Sequence, residues 1–274
     1  MKNHPIPVVI AAGGLGTRVA GWSRMLPKEF RPVGGQPGLL HVLEEAVAGG
    51  AERAVVVHHP YYAGFYAWPC HVLSPDAHRR YQEAAGTRPV GPPPAAGLDV
   101  DFVAQRGRYA DLTSVLNGSV HLRTGNLAFA FADNVDLTHS ALATLLDRTD
   151  PAHPAVLTAP FDATEAARHG VVVCTGAGPV RTMVGLVEKP GPVEAARLLD
   201  EYGPDDLRLL QGRGRTTPGL VHHFAATVRH AGRAEPKLSL AVAGYARNHV
   251  VQVVTAELMV DLGAPEPSAE AGVA

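Results

Sequence analysis

The sequence is short of cysteine, lysine, net charge and long apolar runs, and each shortage removes a class of protein. Its two cysteines, Cys70 and Cys174, sit in unrelated contexts without CxxC spacing. That argues against a disulfide framework or a thiolate metal centre and leads one to expect a reduced, cytoplasmic protein. No apolar stretch approaches the length of a bilayer span. The short one after MKNHP runs straight into glycines, as a first β-strand does and a secretion signal does not. The formal net charge is only −2, so no global field directs the chain to nucleic acid or an anionic membrane, and neither is expected as a partner. Fourteen histidines are present, but without HExxH spacing; His58-His59 and His222-His223 are adjacent pairs that cannot share a helix face. No histidine metal site and no Ser–His–Asp arrangement is assigned.

What is present is a chain of 274 residues, 46% apolar and 18% charged, long enough for one large α/β domain or two modest ones. Among 24 basic residues only Lys2, Lys28, Lys189 and Lys237 are lysines. Arginine evidently supplies ordinary positive charge here, so a retained lysine is a candidate for work that needs a compact ammonium. Lys28 and Lys189 are the two of interest.

Short apolar runs alternate with helical patterns, which predicts an α/β fold with a Rossmann-like, mostly parallel sheet flanked by helices. The expected strands are Pro7–Ala12, Ala54–His58, Val100–Ala104, Leu127–Ala132 and Ala155–Ala159. Helices are expected over Pro37–Ala48, Pro75–Ala85, Asp111–Leu122, Thr138–Leu146 and Pro218–Ala231, two of them opened by a cap-plus-proline pair, Ser74-Pro75 and Thr217-Pro218. After about residue 150 the rhythm changes to a β-rich hairpin, Gly170–Cys174 and Val180–Val187. The expected organisation is a single domain over 1–263, with halves meeting near residue 150, and a disordered tail over 264–274.

In an open α/β sheet the loops after the strands carry chemistry. The first, Gly13 to Lys28, is neither a Walker loop nor a dinucleotide fingerprint, yet Gly13, Gly14 and Gly16 let backbone N–H groups converge on an anion while Arg18 adds a guanidinium. An ordinary strand-to-helix turn with surface arginines is the alternative. Asp133 follows the buried run Phe129–Ala132, where carboxylates often hold Mg²⁺ near phosphates; Asp136, three residues on, reads as a helix cap. Asp261 near the C-terminus is a second candidate ligand or a plain turn residue. Glu188-Lys189-Pro190 ends a strand with a carboxylate and an ammonium, for sugar hydroxyls and a phosphate or simply for solvent. Gln105 has the donor and acceptor needed to read a base edge. The basic segment Gln211–Arg215 is read as a contact to a second phosphate or to another subunit of a homo-oligomer.

Taken in order, these motifs resemble the sugar-1-phosphate nucleotidyltransferases. Ala12-Gly13-Gly14-Leu15-Gly16-Thr17-Arg18 followed by Pro27-Lys28-Glu29 is similar to that family's opening motif, and most like the bacterial UTP–glucose-1-phosphate uridylyltransferases. Asp133-Asn134, His169-Gly170-Val171-Val172, Glu188-Lys189-Pro190 and Asp261-Leu262-Gly263 match its later motifs in the same sequence order. Departures fall after Gln105, where Gly107-Arg108-Tyr109 replaces the usual turn, at His169, usually tyrosine, and at Leu238-Ser239-Leu240-Ala241, usually acidic. The resemblance implies a glycosyltransferase-A-like fold and Mg²⁺-dependent transfer from UTP or dTTP to a sugar-1-phosphate, by default glucose-1-phosphate, releasing pyrophosphate. Another sugar or cyclitol phosphate, or a nucleotide-binding paralogue without catalysis, are its alternatives. By the same resemblance Arg18, Lys28 and Lys189 are catalytic and Asp133 and Asp261 bind the metal. Ala12, Gly13, Gly14, Gly16, Thr17 and Gln105 would bind the nucleotide, and Gly170, Glu188 and Lys189 the sugar phosphate.

Overall fold

The computed structural model describes residues 5–88, 91–92 and 94–264, apart from the side chains of Cys70 and Val72. The chain opens with β1 (Val8–Ala12), a glycine loop, the single turn α1 (Ala20–Ser23) and a small ribbon of β2 (Pro32–Val33) and β3 (Gln36–Pro37). Then come α2 (Gly38–Ala48), β4 (Arg53–His58), α3 (Ala63–Val72), α4 (Pro75–Ala85) and β5 (Asp99–Ala104). They are followed by α5 (Asp111–Leu122), β6 (Ala128–Phe131), β7 (Asn134–Val135) and α6 (Ala141–Arg148). The second half runs β8 (Ala155–Pro160), β9 (Gly170–Thr175), β10 (Val180–Glu188), α7 (Pro192–Tyr202) and β11 (Leu207–Arg215). It closes with α8 (Pro218–His230), α9 (Leu238–Ala246), β12 (Gln252–Thr255) and β13 (Val260–Asp261).

Among the described residues, nine strands form one mixed sheet in the order β5-β4-β1-β6-β11-β8-β12-β10-β9. Strands β5, β4, β1 and β6 pair in parallel, as does β12 with β8, while within this sheet each antiparallel pair includes β10 or β11. Alternation explains why β1 is buried on both faces. Val8 and Ile10 point into a core with Leu39, Leu43 and Val56, while Val9 points into another with Phe129, Leu112 and Val253. Because β1, β4, β5 and β6 run the same way, Gly13, His59, Gln105 and Asp133 all emerge at one edge. The order reverses at β1, flanked by β4 and β6, so this edge is the topological switch point.

The two cap-plus-proline signatures hold: the Ser74 hydroxyl accepts from Ala77 N at 3.2 Å and that of Thr217 from Leu220 N at 3.4 Å. The hairpin expected after residue 150 is β9–β10. Helix α6 starts three residues later than the sequence suggests, because Asp136 first organises the turn before it: Oδ2 accepts from Ser140 N and Ala141 N, both at 2.8 Å. The basic segment Gln211–Arg215 offers no arginine to a phosphate or a second subunit. It lies in β11, with Arg213 fully buried and Arg215 4% exposed. Of the tail, only Ala264 falls within the described residues.

Candidate active site

The glycine loop lies across the end of β1 because no side chain fits there. A Cβ on Gly13 would stand 1.9 Å from Gln105 Oε1 and 2.5 Å from Ser114 Oγ. Gly16 takes φ +64°, a left-handed conformation that suits glycine, and the Ser23 hydroxyl donates back to its carbonyl at 2.8 Å. Beneath the loop runs the Lys28 side chain, whose Cδ would lie 3.2 Å from a Cβ on Gly16 and whose Nζ would lie 3.2 Å from one on Gly14. The loop therefore wraps the lysine stem and delivers its ammonium to the end of β6.

There Lys28 Nζ donates to Asp133 Oδ2. Burial alone would lower the Lys28 pKa, but the carboxylates of Asp133, Glu29 and Asp261 outweigh it and raise it. Burial likewise favours neutral Asp133, yet the charge and hydrogen bond of Lys28, with Arg18 beyond, hold its carboxyl below the usual range. Asp261 is brought alongside by the β7–β13 pairing, in which it faces Asn134, and by Leu262 N donating to the Asp133 carbonyl at 2.7 Å. The three charged groups surround Gly263. A Cβ there would meet Arg18 Nη2 at 2.9 Å, Asp261 Oδ1 at 3.0 Å and Asp133 Oδ2 at 3.3 Å. Two carboxylate oxygens thus converge on space that a glycine leaves open, which suits a hard divalent cation sharing its remaining positions with phosphate oxygens.

Across the cleft, the Glu188 carboxylate accepts from Ser239 Oγ at 2.7 Å and pairs with Lys237 Nζ at 3.4 Å, beside the Gly170 backbone. Lys189 follows in a left-handed conformation (φ 48°), its N–H donating to the His169 carbonyl at 3.2 Å and its side chain exposed. The intervening space is a cleft of about 400 Å³. Gly13, Gly14, Arg18, Lys28, Asp133, Gly170, Glu188, Lys189 and Asp261 all line it, so residues scattered from 13 to 261 of the chain share one wall system.

Solved structures with the same architecture include a UDP-glucose pyrophosphorylase complexed with UDP-glucose, at TM-score 0.75 and 18% identity over 95% of this chain and 94% of that one. The fold is that of the sugar-phosphate nucleotidyltransferases. A UTP-bound UGPase from Acinetobacter baumannii superimposes at 0.70 with 20% identity, covering 95% of this chain and 90% of that one. An inositol-1-phosphate CTP transferase from T. maritima does so at 0.67 with 13% identity, covering 97% and 92%. In sequence the chain is 30% identical over 202 residues to the bifunctional protein GlmU of Polaromonas naphthalenivorans, 73% of this chain but 38% of that protein. It is 41% identical over 49 residues to UTP–glucose-1-phosphate uridylyltransferase 1 of Staphylococcus saprophyticus, 18% of this chain and 17% of that one. The matched region is thus well under half the length of these curated relatives. No protein-family profile matches the chain.

Within this nucleotidyltransferase fold, Ala12, Gly16, Thr17 and Gln105 stand outside the cleft lining. Gln105 departs most from its expected role. It is buried, its Nε2 donates to the carbonyls of Arg108 (3.1 Å) and Ala110 (3.2 Å), and its Oε1 accepts from Ser114 Oγ at 2.8 Å. Both amide hydrogens are used inside the protein, so the residue shapes the turn carrying Tyr109 and has no spare donor for a base. The Tyr109 ring instead faces that of His59, with centroids 4.2 Å apart, and both line the cleft. His59 Nδ1 accepts from Tyr61 N at 3.0 Å, which places the proton of the neutral ring on Nε2, a buried donor with no partner among the described residues.

Sequence reasoning also missed Asp111, and took Gln211 only as the start of a basic segment. Asp111 Oδ1 accepts from Leu238 N at 2.9 Å, and burial, with Glu235 and Glu188 nearby, pushes its pKa up to about 6 despite the donated hydrogen bonds. Gln211 Oε1 accepts from Met259 N at 3.2 Å, leaving a buried Nε2 without a partner among the described residues, on the cleft wall. Their only sequence signals, a helix-start aspartate and a glutamine among arginines, are too common to single out.

Proposed function

We propose that this protein is a cytoplasmic, Mg²⁺-dependent nucleotidyltransferase that moves a uridylyl or thymidylyl group from UTP or dTTP to glucose-1-phosphate. The observation that carries the proposal is the convergence of Asp133, Asp261, Lys28 and Arg18 around the gap at Gly263, facing Lys189 and Glu188 across one cleft. The residues up to about 150 form the nucleotide half and 151–263 the sugar-phosphate half of one domain. The intracellular setting follows from a nucleoside triphosphate as substrate; among the described residues no helix is long and apolar enough to cross a membrane.

The reaction is attack by an oxygen of the sugar phosphate on the α-phosphorus of the triphosphate, breaking its bond to the bridging oxygen and expelling pyrophosphate. The nucleophile is already anionic, so no side chain has to remove a proton. The difficulty is gathering several anions in line, and the chain's residues answer it by charge and position. Arg18 and the loop N–H groups of Gly13 and Gly14 hold the departing phosphates. Lys28, kept charged by its carboxylate neighbours, sits where negative charge develops at the α-phosphate. Lys189, fixed by its backbone bond to His169, meets the sugar phosphate, while Glu188 and the Gly170 backbone take sugar hydroxyls. Asp133 and Asp261 would hold Mg²⁺, which supplies Lewis-acid neutralisation of the phosphate oxygens. The paired rings of His59 and Tyr109 offer a surface for the base.

Pyrophosphate release from UTP or dTTP with glucose-1-phosphate and Mg²⁺ is the test. Lys28→Ala, Asp133→Ala and Lys189→Ala should each lower kcat by about 10²–10³-fold, the scale of losing one preorganised contact to developing charge. Turnover in Asp133→Ala or Lys189→Ala equal to that of the parent would remove the assignment. The superposed inositol-1-phosphate CTP transferase makes CTP with a cyclitol phosphate the control pair to run beside these substrates.

A further inference from the structure

A second cluster of ligating side chains lies away from the cleft lining, where α2 meets the turn after β7. His41 Nδ1, His139 Nε2 and a Glu44 carboxylate oxygen all lie within 4.8 Å of one another. The two ring nitrogens are 2.9 Å apart, and Glu44 Oε2 is 3.7 Å from His139 Nε2. His41 is 6% exposed, whereas His139 and Glu44 reach the surface with side chains 28% and 31% exposed, which leaves an entry path.

The hydrogen bonds settle which atom of His41 faces the cluster. Its Nε2 lies 2.8 Å from the Val33 carbonyl, which can only accept, so that nitrogen carries the proton and the neutral ring turns the Nδ1 lone pair inward. Two donors compete for that one lone pair: Gln36 Nε2 at 3.2 Å and the His139 ring. A backbone carbonyl behind an imidazole, with a second imidazole and a carboxylate in front, is the environment of a metal-bound histidine.

The turn presenting His139 is held against its own preference. His139 has φ 55°, a left-handed conformation that residues with a Cβ adopt uncommonly. Asp136 enforces it, its Oδ1 accepting from Thr138 N (2.9 Å) and Thr138 Oγ1 (2.7 Å) while Oδ2 accepts from Ser140 N and Ala141 N (both 2.8 Å). Strain held by a fully bonded turn, aimed at a lone pair, points to a ligand.

We propose that His41, His139 and Glu44 form a site for a zinc-type divalent ion that fastens α2 to the turn following Asp133. Two imidazoles and one carboxylate suit Zn²⁺, with a water in the fourth position, and do not suit Mg²⁺. Tetrahedral Zn²⁺ spaces its nitrogen ligands by about 3.3 Å, so the rings need to part by only a few tenths of an ångström. The site is independent of the catalytic reading, because no residue in it lines the cleft.

The experiment uses the full chain, stripped with chelator, exposed to ZnCl₂ and passed over a desalting column before metal analysis, with Co²⁺ absorption as a second readout. The expected result is one equivalent of zinc, a visible Co²⁺ spectrum of tetrahedral intensity, and a zinc-dependent rise in Tm. His139→Asn, chosen because asparagine tolerates positive φ, and Glu44→Gln should each weaken binding at least about tenfold, while Asp261→Asn keeps it. If His139→Asn fails to fold, Glu44→Gln still gives the readout. Substoichiometric zinc, or zinc retained by both variants, overturns the site.

Discussion

At the scale of single residues, two glycines at the cleft are constrained by the side chains that stand against them. Gly13 is required by the Gln105 and Ser114 side chains beneath it, and Gly263 by the charges around it. Gly263→Ala should raise the Mg²⁺ concentration giving half-maximal pyrophosphate release on the order of tenfold, because its methyl would occupy the space between Asp133 and Asp261. Thermal melting should barely change, since this glycine needs no positive φ; an unaltered Mg²⁺ requirement would count against the cradle. Gln105 is a different case. Its type suits base reading, but in the fold its donors are spent on the Arg108 and Ala110 carbonyls.

At the scale of elements, β11 is where sequence reading failed, because a strand bearing Arg-Gly-Arg looks like a surface. Arg213 satisfies all five of its N–H donors: two on Glu45 of α2 (2.9 and 2.6 Å), and the rest on the carbonyls of Phe131, Gly212 and Asn134 (3.2, 2.9 and 2.7 Å). Glu45 Oε1 also accepts from Leu142 N at 3.0 Å, tying α6 into the network. Arg213→Ala should cost about 3–5 kcal/mol in urea unfolding, by leaving a buried carboxylate without its partner. The double variant Arg213→Met with Glu45→Leu should recover much of that loss, and equal damage in both would refute the pairing account. Helix α3 escaped notice for another reason: it carries Pro69 inside it, a residue that ordinarily argues for a break.

At the scale of the whole molecule, two buried acids make stability fall with rising pH. Burial pushes Glu29, which accepts from the Tyr66 hydroxyl, up to about 7 from an ordinary 4.5, against the pull of Lys28. Asp111 is pushed up to about 6 from 3.8. A folded pKa above the unfolded one means the native state holds the proton more tightly. The stabilisation is therefore complete below the unfolded pKa values and disappears as pH rises through about 6 to about 7. Buried His58 and His59, whose pKa values are lowered by burial, contribute in the opposite sense, so the test is the variant. Between about pH 5 and about pH 8 the urea midpoint of Glu29→Gln should fall less, or rise more, than that of the parent, and a parallel curve for that variant would contradict the assignment. The sequence by itself determined the α/β alternation, the glycine loop, the two helix caps and the ordered series Lys28, Asp133, Lys189 and Asp261. These are local patterns of period, turn chemistry and charge, readable one segment at a time. Only the tertiary structure decided that Asp133 and Asp261 share one gap, that Gln105 faces inward, that Arg213 is an internal anchor and that His41 meets His139. Each of those depends on which strands become neighbours, and strand order is set by the burial of both sheet faces together, which no single segment encodes.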